Sequence, residues 1–191
     1  MAPIASLQNR FPRRILVDWQ DDSITCKIMA VQFLDSVDKI FRSAKTSGEK
    51  AIAQAPDDGL FWQYNLESNS IAMIVQHVAG NMLSRWTDFR TTDGEKEWRD
   101  RDAEFEVVLT TRAEVIARWE QGWQCLFEAL ASIKPDEFDL ILNIRGEAHT
   151  YMEAILRQLY HYPYHVGQMV YIAKMLADEQ WQTMTMPRKK N

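Results

Sequence analysis

Apolar positions return at helical spacing in four separate stretches of the chain. From Ser23, the residues Ile28, Val31, Phe33, Leu34, Val37, Ile40 and Phe41 recur at intervals of three and four until about Ala55, where Pro56 stops the pattern. A turn-rich connection, Asp57-Asp58-Gly59 to Ser68-Asn69, leads to a second helix predicted from Ser70 to about Arg90, striped by Ile71, Val75, Val78, Met82, Trp86 and Phe89. Thr111 and Glu114 form a capping box that opens a third helix, which runs to about Ile133, ahead of Pro135. Phe138, Leu140, Leu142 and Ile144 then alternate with Asp139, Ile141 and Asn143, the period of an extended strand, closed by Arg145-Gly146-Glu147. A second capping box, Thr150 with Glu153, starts a fourth helix that reaches about Ala177.

Four such helices predict an all-α fold, a four-helix bundle with a short extended segment before the last helix. The pattern divides the chain into an N-terminal arm over 1–21, one domain over 22–180 and a C-terminal tail over 181–191. Pro163 lies inside the fourth helix, where it removes a bond to the Leu159 carbonyl. Because Ile155, Leu159, Tyr162, Val166 and Met169 keep their spacing across it, the helix is expected to continue with a kink. The Thr91–Thr110 connection is long and carries the alternating charges Arg99-Asp100-Arg101-Asp102. It reads either as a salt-bridged crossover or as a lid whose Arg99 and Arg101 attract an anionic substrate.

Composition narrows the function. The 191 residues carry 22 basic and 27 acidic side chains, a net charge of −5. Such a chain lacks the basic footprint that drives nucleic-acid binding, so no DNA or RNA partner is expected. The stretches Ser68–Ser84 and Gln158–Lys174 are poor in charge but interrupted by His, Gln or Asn, and each falls short of the ~20 apolar residues of a membrane span. No signal-like segment opens the chain, and the two cysteines, Cys26 and Cys125, fit no metal or redox spacing. They are expected to be reduced core residues of a cytoplasmic protein.

The candidate chemistry lies in the histidines. His161 and His165 are four residues apart, which on a helix means about 40° in direction and ~6 Å in height. Two imidazoles so placed chelate one ion or form a polar core pair. On the second helix Ser70, His77, Asn81, Ser84 and Asp88 share a face away from the apolar stripe. That strip either meets solvent or lines a polar cavity facing the fourth helix, with Asn81 close enough to support a histidine. His149, just before the fourth helix, reads as a loop residue outside the cluster.

The stretches Gln76-His77-Val78-Ala79-Gly80-Asn81 and His161-Tyr162-Pro163-Tyr164-His165-Val166-Gly167-Gln168 resemble the DinB-like (YfiT-like) superfamily of metal-binding four-helix bundles. The run from Arg85-Trp86-Thr87-Asp88-Phe89 to Arg101-Asp102-Ala103-Glu104-Phe105 is similar to one uncharacterised subfamily, and the likeness spans about Ile28 to Leu176. The resemblance implies an up-down-down-up bundle with one divalent metal ion on His77, His161 and His165. It also implies homodimers and, for some relatives, transfer or isomerisation with a low-molecular-weight thiol.

Three imidazoles leave the ion at least one exchangeable position, as in catalytic sites. The expectation is therefore a metal-dependent enzyme of the thiol-transferase or hydrolase type; the alternative is a non-catalytic metal or small-molecule binding module. Zinc or nickel suits the donors best, with iron and manganese also accepting imidazole. Glu153 and Asp88 are the nearest acidic candidates for a general base on these two helices, each far along its axis from the histidines.

Overall fold

A computed structural model describes residues 22–106 and 109–186; the N-terminal arm over 1–21 and the end of the tail over 187–191 lie outside the described residues. The fold is mostly helical, with helices α1 (Asp22–Gln54), α2 (Ile71–Trp86), α3 (Arg112–Ser132) and α4 (Tyr151–Ala177), and strands β1 (Ile141–Ile144) and β2 (Glu147–Thr150) between the last two. The most extensive helix contacts join α2 to α3 and α1 to α4, with lesser ones between α2 and α4 and between α1 and α3. Among the described residues, no helix is long and apolar enough to cross a membrane.

The local signals account for most helix ends. Ser70 Oγ accepts a hydrogen bond from Met73 N at 3.2 Å and caps α2. Thr111 with Glu114, and Thr150 with Glu153, each close a full capping box at the start of α3 and α4. α4 remains helical through Pro163 without a break. The far end of α2 differs from expectation, since the helix stops at Trp86 rather than near Arg90. Asp88 takes φ 48°, left-handed backbone that reverses the chain, and its carbonyl then accepts from Thr91 N and Thr92 N at 3.0 Å.

The expected extended segment is half of an antiparallel hairpin, in which Ile141 faces Thr150 and Ile144 faces Glu147. The turn between them is Arg145-Gly146, with φ 57° and 75°, the positive pair that suits a two-residue hairpin loop. The strand β2 was not foreseen, because Glu147-Ala148-His149 lacks the apolar alternation that marks β1. Leu142 and Ile144 point into the core as expected, whereas Leu140 stays exposed.

An aromatic cluster fills the space among the helices. Phe41 of α1 meets Trp123 of α3 at 6.2 Å between ring centroids and Tyr162 of α4 at 5.9 Å, and Trp123 meets Trp119 at 5.4 Å. Gly122 permits the close approach of α3 to α2, since a Cβ there would stand 2.8 Å from Ala79 Cα. Trp86, Trp119 and Trp123 are buried while Trp62 and Trp98 are exposed; Trp19 lies outside the described residues. The stripe predicted for α1 is core only in part: Val37 and Phe41 are buried, but Ile28, Val31 and Ile40 are exposed. Cys26 is exposed and Cys125 half-buried, so neither is the fully buried core residue expected; both are free thiols.

Candidate metal centre

α2 and α4 bring three imidazoles together. His161 and His165 lie one turn apart on α4, and His77 reaches them from α2. His161 Nε2 stands 3.3 Å from His77 Nε2 and 3.2 Å from His165 Nε2, and one ligand nitrogen from each ring falls within 4.8 Å of the others. A tetrahedral ion with metal–nitrogen bonds of about 2.0–2.1 Å holds its ligand atoms about 3.3 Å apart, so the two short contacts match such a site.

The remaining nitrogens fix the ring orientations. His77 Nδ1 lies 2.9 Å from Glu104 Oε2, and His165 Nδ1 lies 3.0 Å from Gln168 Oε1. A carboxylate oxygen and an amide oxygen both accept, so each Nδ1 carries a proton, and in the neutral ring each Nε2 presents a lone pair. His161 Nε2 then faces two lone pairs and can donate to only one of them. The donor set suits a shared cation better than a chain of hydrogen bonds.

Charge points the same way. Burial, then the neighbouring His165 and His77 and the charges of Arg99 and Arg85, lower the pKa of His161 to about 3. Burial also lowers His165, against a hydrogen bond to Gln168 that raises it. Both shifts favour the neutral ring, the form that ligates a metal.

Behind His77 stands a second layer with no signature at the level of helix periodicity. Burial would raise the pKa of Glu104, but hydrogen bonds from His77 and Arg99 together hold it below the ordinary carboxylate value. Arg99 Nε donates to Glu104 Oε1 at 2.7 Å and Nη2 to Oε2 at 2.8 Å, with only 1% of the Arg99 side chain exposed. The Phe105 ring stacks on His77 with centroids 5.0 Å apart. The Thr91–Thr110 connection thus folds back onto α2 through the 3-10 turn Ala103–Phe105. Gly80 was the available signal: it is a glycine inside a helix, and a Cβ there would collide with Glu104 Oε1.

Several expected roles change. Of the two readings of the connection, Arg99 follows the salt-bridged one, as a buried partner of Glu104 rather than a free attractor of anions, while Arg101 is exposed. The polar strip of α2 faces neither solvent nor an open cavity; it is an interior seam. Its Asn81 accepts from Tyr162 Oη at 3.1 Å instead of supporting a histidine, and Ser84 Oγ donates to the Gly94 carbonyl at 2.7 Å. Asp88 is exposed beyond the helix end, and Glu153 is committed to its capping box. His149 sits on β2 with Nδ1 3.0 Å from the Glu147 carbonyl, outside the cluster as expected.

A family model described as a protein of unknown function, DUF1572, matches residues 28–190. The chain belongs to that family. No curated protein matches it significantly. The matched span of this DUF1572 protein contains all three histidines, together with Arg99, Glu104 and Gln168. Three imidazoles, two of them with Nδ1 hydrogen-bonded to an accepting oxygen, are a donor set that could hold one divalent ion with a coordination position to spare.

Proposed function

We propose that this protein is a metal-dependent enzyme on a DinB-like (YfiT-like) four-helix bundle, transferring a low-molecular-weight thiol or hydrolysing its substrate. The observation that carries the reading is the convergence of His77, His161 and His165, with the Nδ1 atoms of His77 and His165 tied back to Glu104 and Gln168. Bound there, a divalent ion would supply Lewis-acid chemistry, favouring the ionised form of a thiol or of water. The protein's own residues do the positioning: Glu104 and Arg99 fix His77, Gln168 fixes His165, and Phe105 covers the His77 ring. Zinc or nickel fits the nitrogen donors best, with iron and manganese as other imidazole-binding ions. We further place the protein in the cytoplasm as a homodimer acting on a small molecule.

The second reading, a binding module without turnover, is favoured by one observation. Among the acidic groups weighed, Glu104 is consumed by His77 and Arg99, Glu153 by its cap, and Asp88 lies exposed past α2, so none is poised as a general base. Removing the metal and assaying candidate thiols separates the two. A catalytic ion abolishes turnover and leaves the helical fold largely intact. Loss of the fold on chelation, with no thiol or water exchange at the metal, would leave the binding-module reading in place.

A further inference from the structure

Seven aromatic side chains are exposed among the described residues, and four of them, Trp62, Tyr64, Tyr164 and Tyr171, line one cleft of about 540 Å³. Exposed aromatic surface gathered in one concavity marks a binding site rather than chance. The cleft lies between the connection over 61–69 and the second half of α4. It shares a wall with the histidine cluster: Gln168 lines it and holds His165 Nδ1, and Tyr164 lines it with its ring 5.2 Å from that of His165.

Gly167 supplies an independent sign. It sits inside α4, where glycine weakens a helix, yet nothing lies within 4 Å of where its Cβ would be. Neither a close approach nor a turn explains it. Gly167 is exposed and lines this cleft as well as a second hollow toward α1, so no side chain narrows either of them there.

The lining's charge selects the occupant. Glu67 is its one formally charged side chain, and it includes no lysine or arginine. Aromatic faces attract cations through the ring quadrupole, and a lone carboxylate adds to that field. An anion would meet repulsion from Glu67, whereas a neutral apolar guest would gain nothing from its charge.

We propose that this cleft binds an organic cation, an ammonium group whose alkyl substituents pack on Trp62, Tyr64, Tyr164 and Tyr171 with Glu67 as counter-charge. Its place beside a reacting centre rests on the metal reading above; the cleft's own affinity does not. Isothermal titration of the full chain with choline and its neutral isostere 3,3-dimethylbutan-1-ol tests it, on the wild type and on His161→Ala. Choline is expected to bind one per chain, about tenfold tighter than the isostere, in both proteins. Trp62→Ala and Tyr171→Ala should each weaken it severalfold, and Gly167→Leu should abolish it with helix content retained. Equal binding of the two probes, no choline binding, or choline binding indifferent to Trp62→Ala and Tyr171→Ala would overturn the proposal. Should Gly167→Leu fail to fold, those two variants decide alone. Choline binding that survives in His161→Ala, alongside a wild type that takes up no metal, would sink the metal reading and leave this one standing.

Discussion

Glu104 Oε2 lies 2.9 Å from His77 Nδ1, and Arg99 grips both oxygens of the same carboxylate at 2.7 and 2.8 Å. The histidine on α2 is thereby oriented by a residue 27 positions away, in a connection without helical periodicity. A carboxylate behind a ligating imidazole fixes its tautomer and raises its basicity, and its loss typically costs about 10–100-fold in metal affinity. Glu104→Gln is therefore expected to weaken metal binding by about tenfold or more, measured by competition with a chelator. Unchanged affinity would mean that Glu104 serves only to pin the connection.

Tyr162 lies next to His161 in sequence but points into the core. Its hydroxyl donates to Asn81 Oδ1 at 3.1 Å and accepts from Trp86 Nε1 at 3.2 Å. Burial pushes its pKa well above the ordinary phenol value, so it stays a neutral donor at working pH. Tyr162→Phe leaves both partners unsatisfied in the interior, a loss of about 1–3 kcal/mol in unfolding free energy by denaturant titration. Metal affinity should not change, because the hydroxyl bonds to no histidine. A variant of normal stability and impaired metal binding would contradict this division of labour.

The parts of the fold legible in the sequence are those set by neighbours along the chain. Thr111 with Glu114 and Thr150 with Glu153 announce α3 and α4 because a capping box closes within one turn. His161 and His165 are legible as a pair for the same reason, since four residues define their spacing. His77 entered through its polar helix face and a family resemblance, and its approach to within 3.3 Å of His161 is a tertiary fact. Glu104 stayed hidden because its contact with His77 spans a connection with no period to read. α2 ended early where Thr87 turns to extended backbone at ψ 126°, ahead of left-handed Asp88, a change that the apolar stripe, continuing to Phe89, did not signal. The strand β2 escaped notice because its register is imposed by β1 and the Arg145-Gly146 turn.

Asp93 ties the Thr91–Thr110 connection to that hairpin turn. Its Oδ1 accepts from Glu95 N at 2.6 Å and Arg145 N at 2.8 Å, and its Oδ2 from Gly146 N at 2.7 Å. Partial burial pushes its pKa up, but these backbone donors outweigh that and hold it below the ordinary value of 3.8. A depressed pKa means that the stabilisation is complete above the unfolded-state value and is lost as pH falls through the folded-state one. Asp93→Asn is expected to cost about 1 kcal/mol at pH 7, discounted for partial exposure. The gap between variant and wild type should narrow below about pH 4 in urea titrations. A gap that stays constant into acid would assign the effect to packing rather than to the ionised carboxylate.

Whether His77, His161 and His165 hold one divalent ion is tested most directly by elemental analysis of the protein purified without an affinity tag. About one metal ion per chain is expected, retained in His149→Ala and strongly reduced in His77→Ala, His161→Ala and His165→Ala. Metal lost from His149→Ala but kept by His161→Ala, or a wild-type protein that takes up no stoichiometric ion when one is offered, would contradict it.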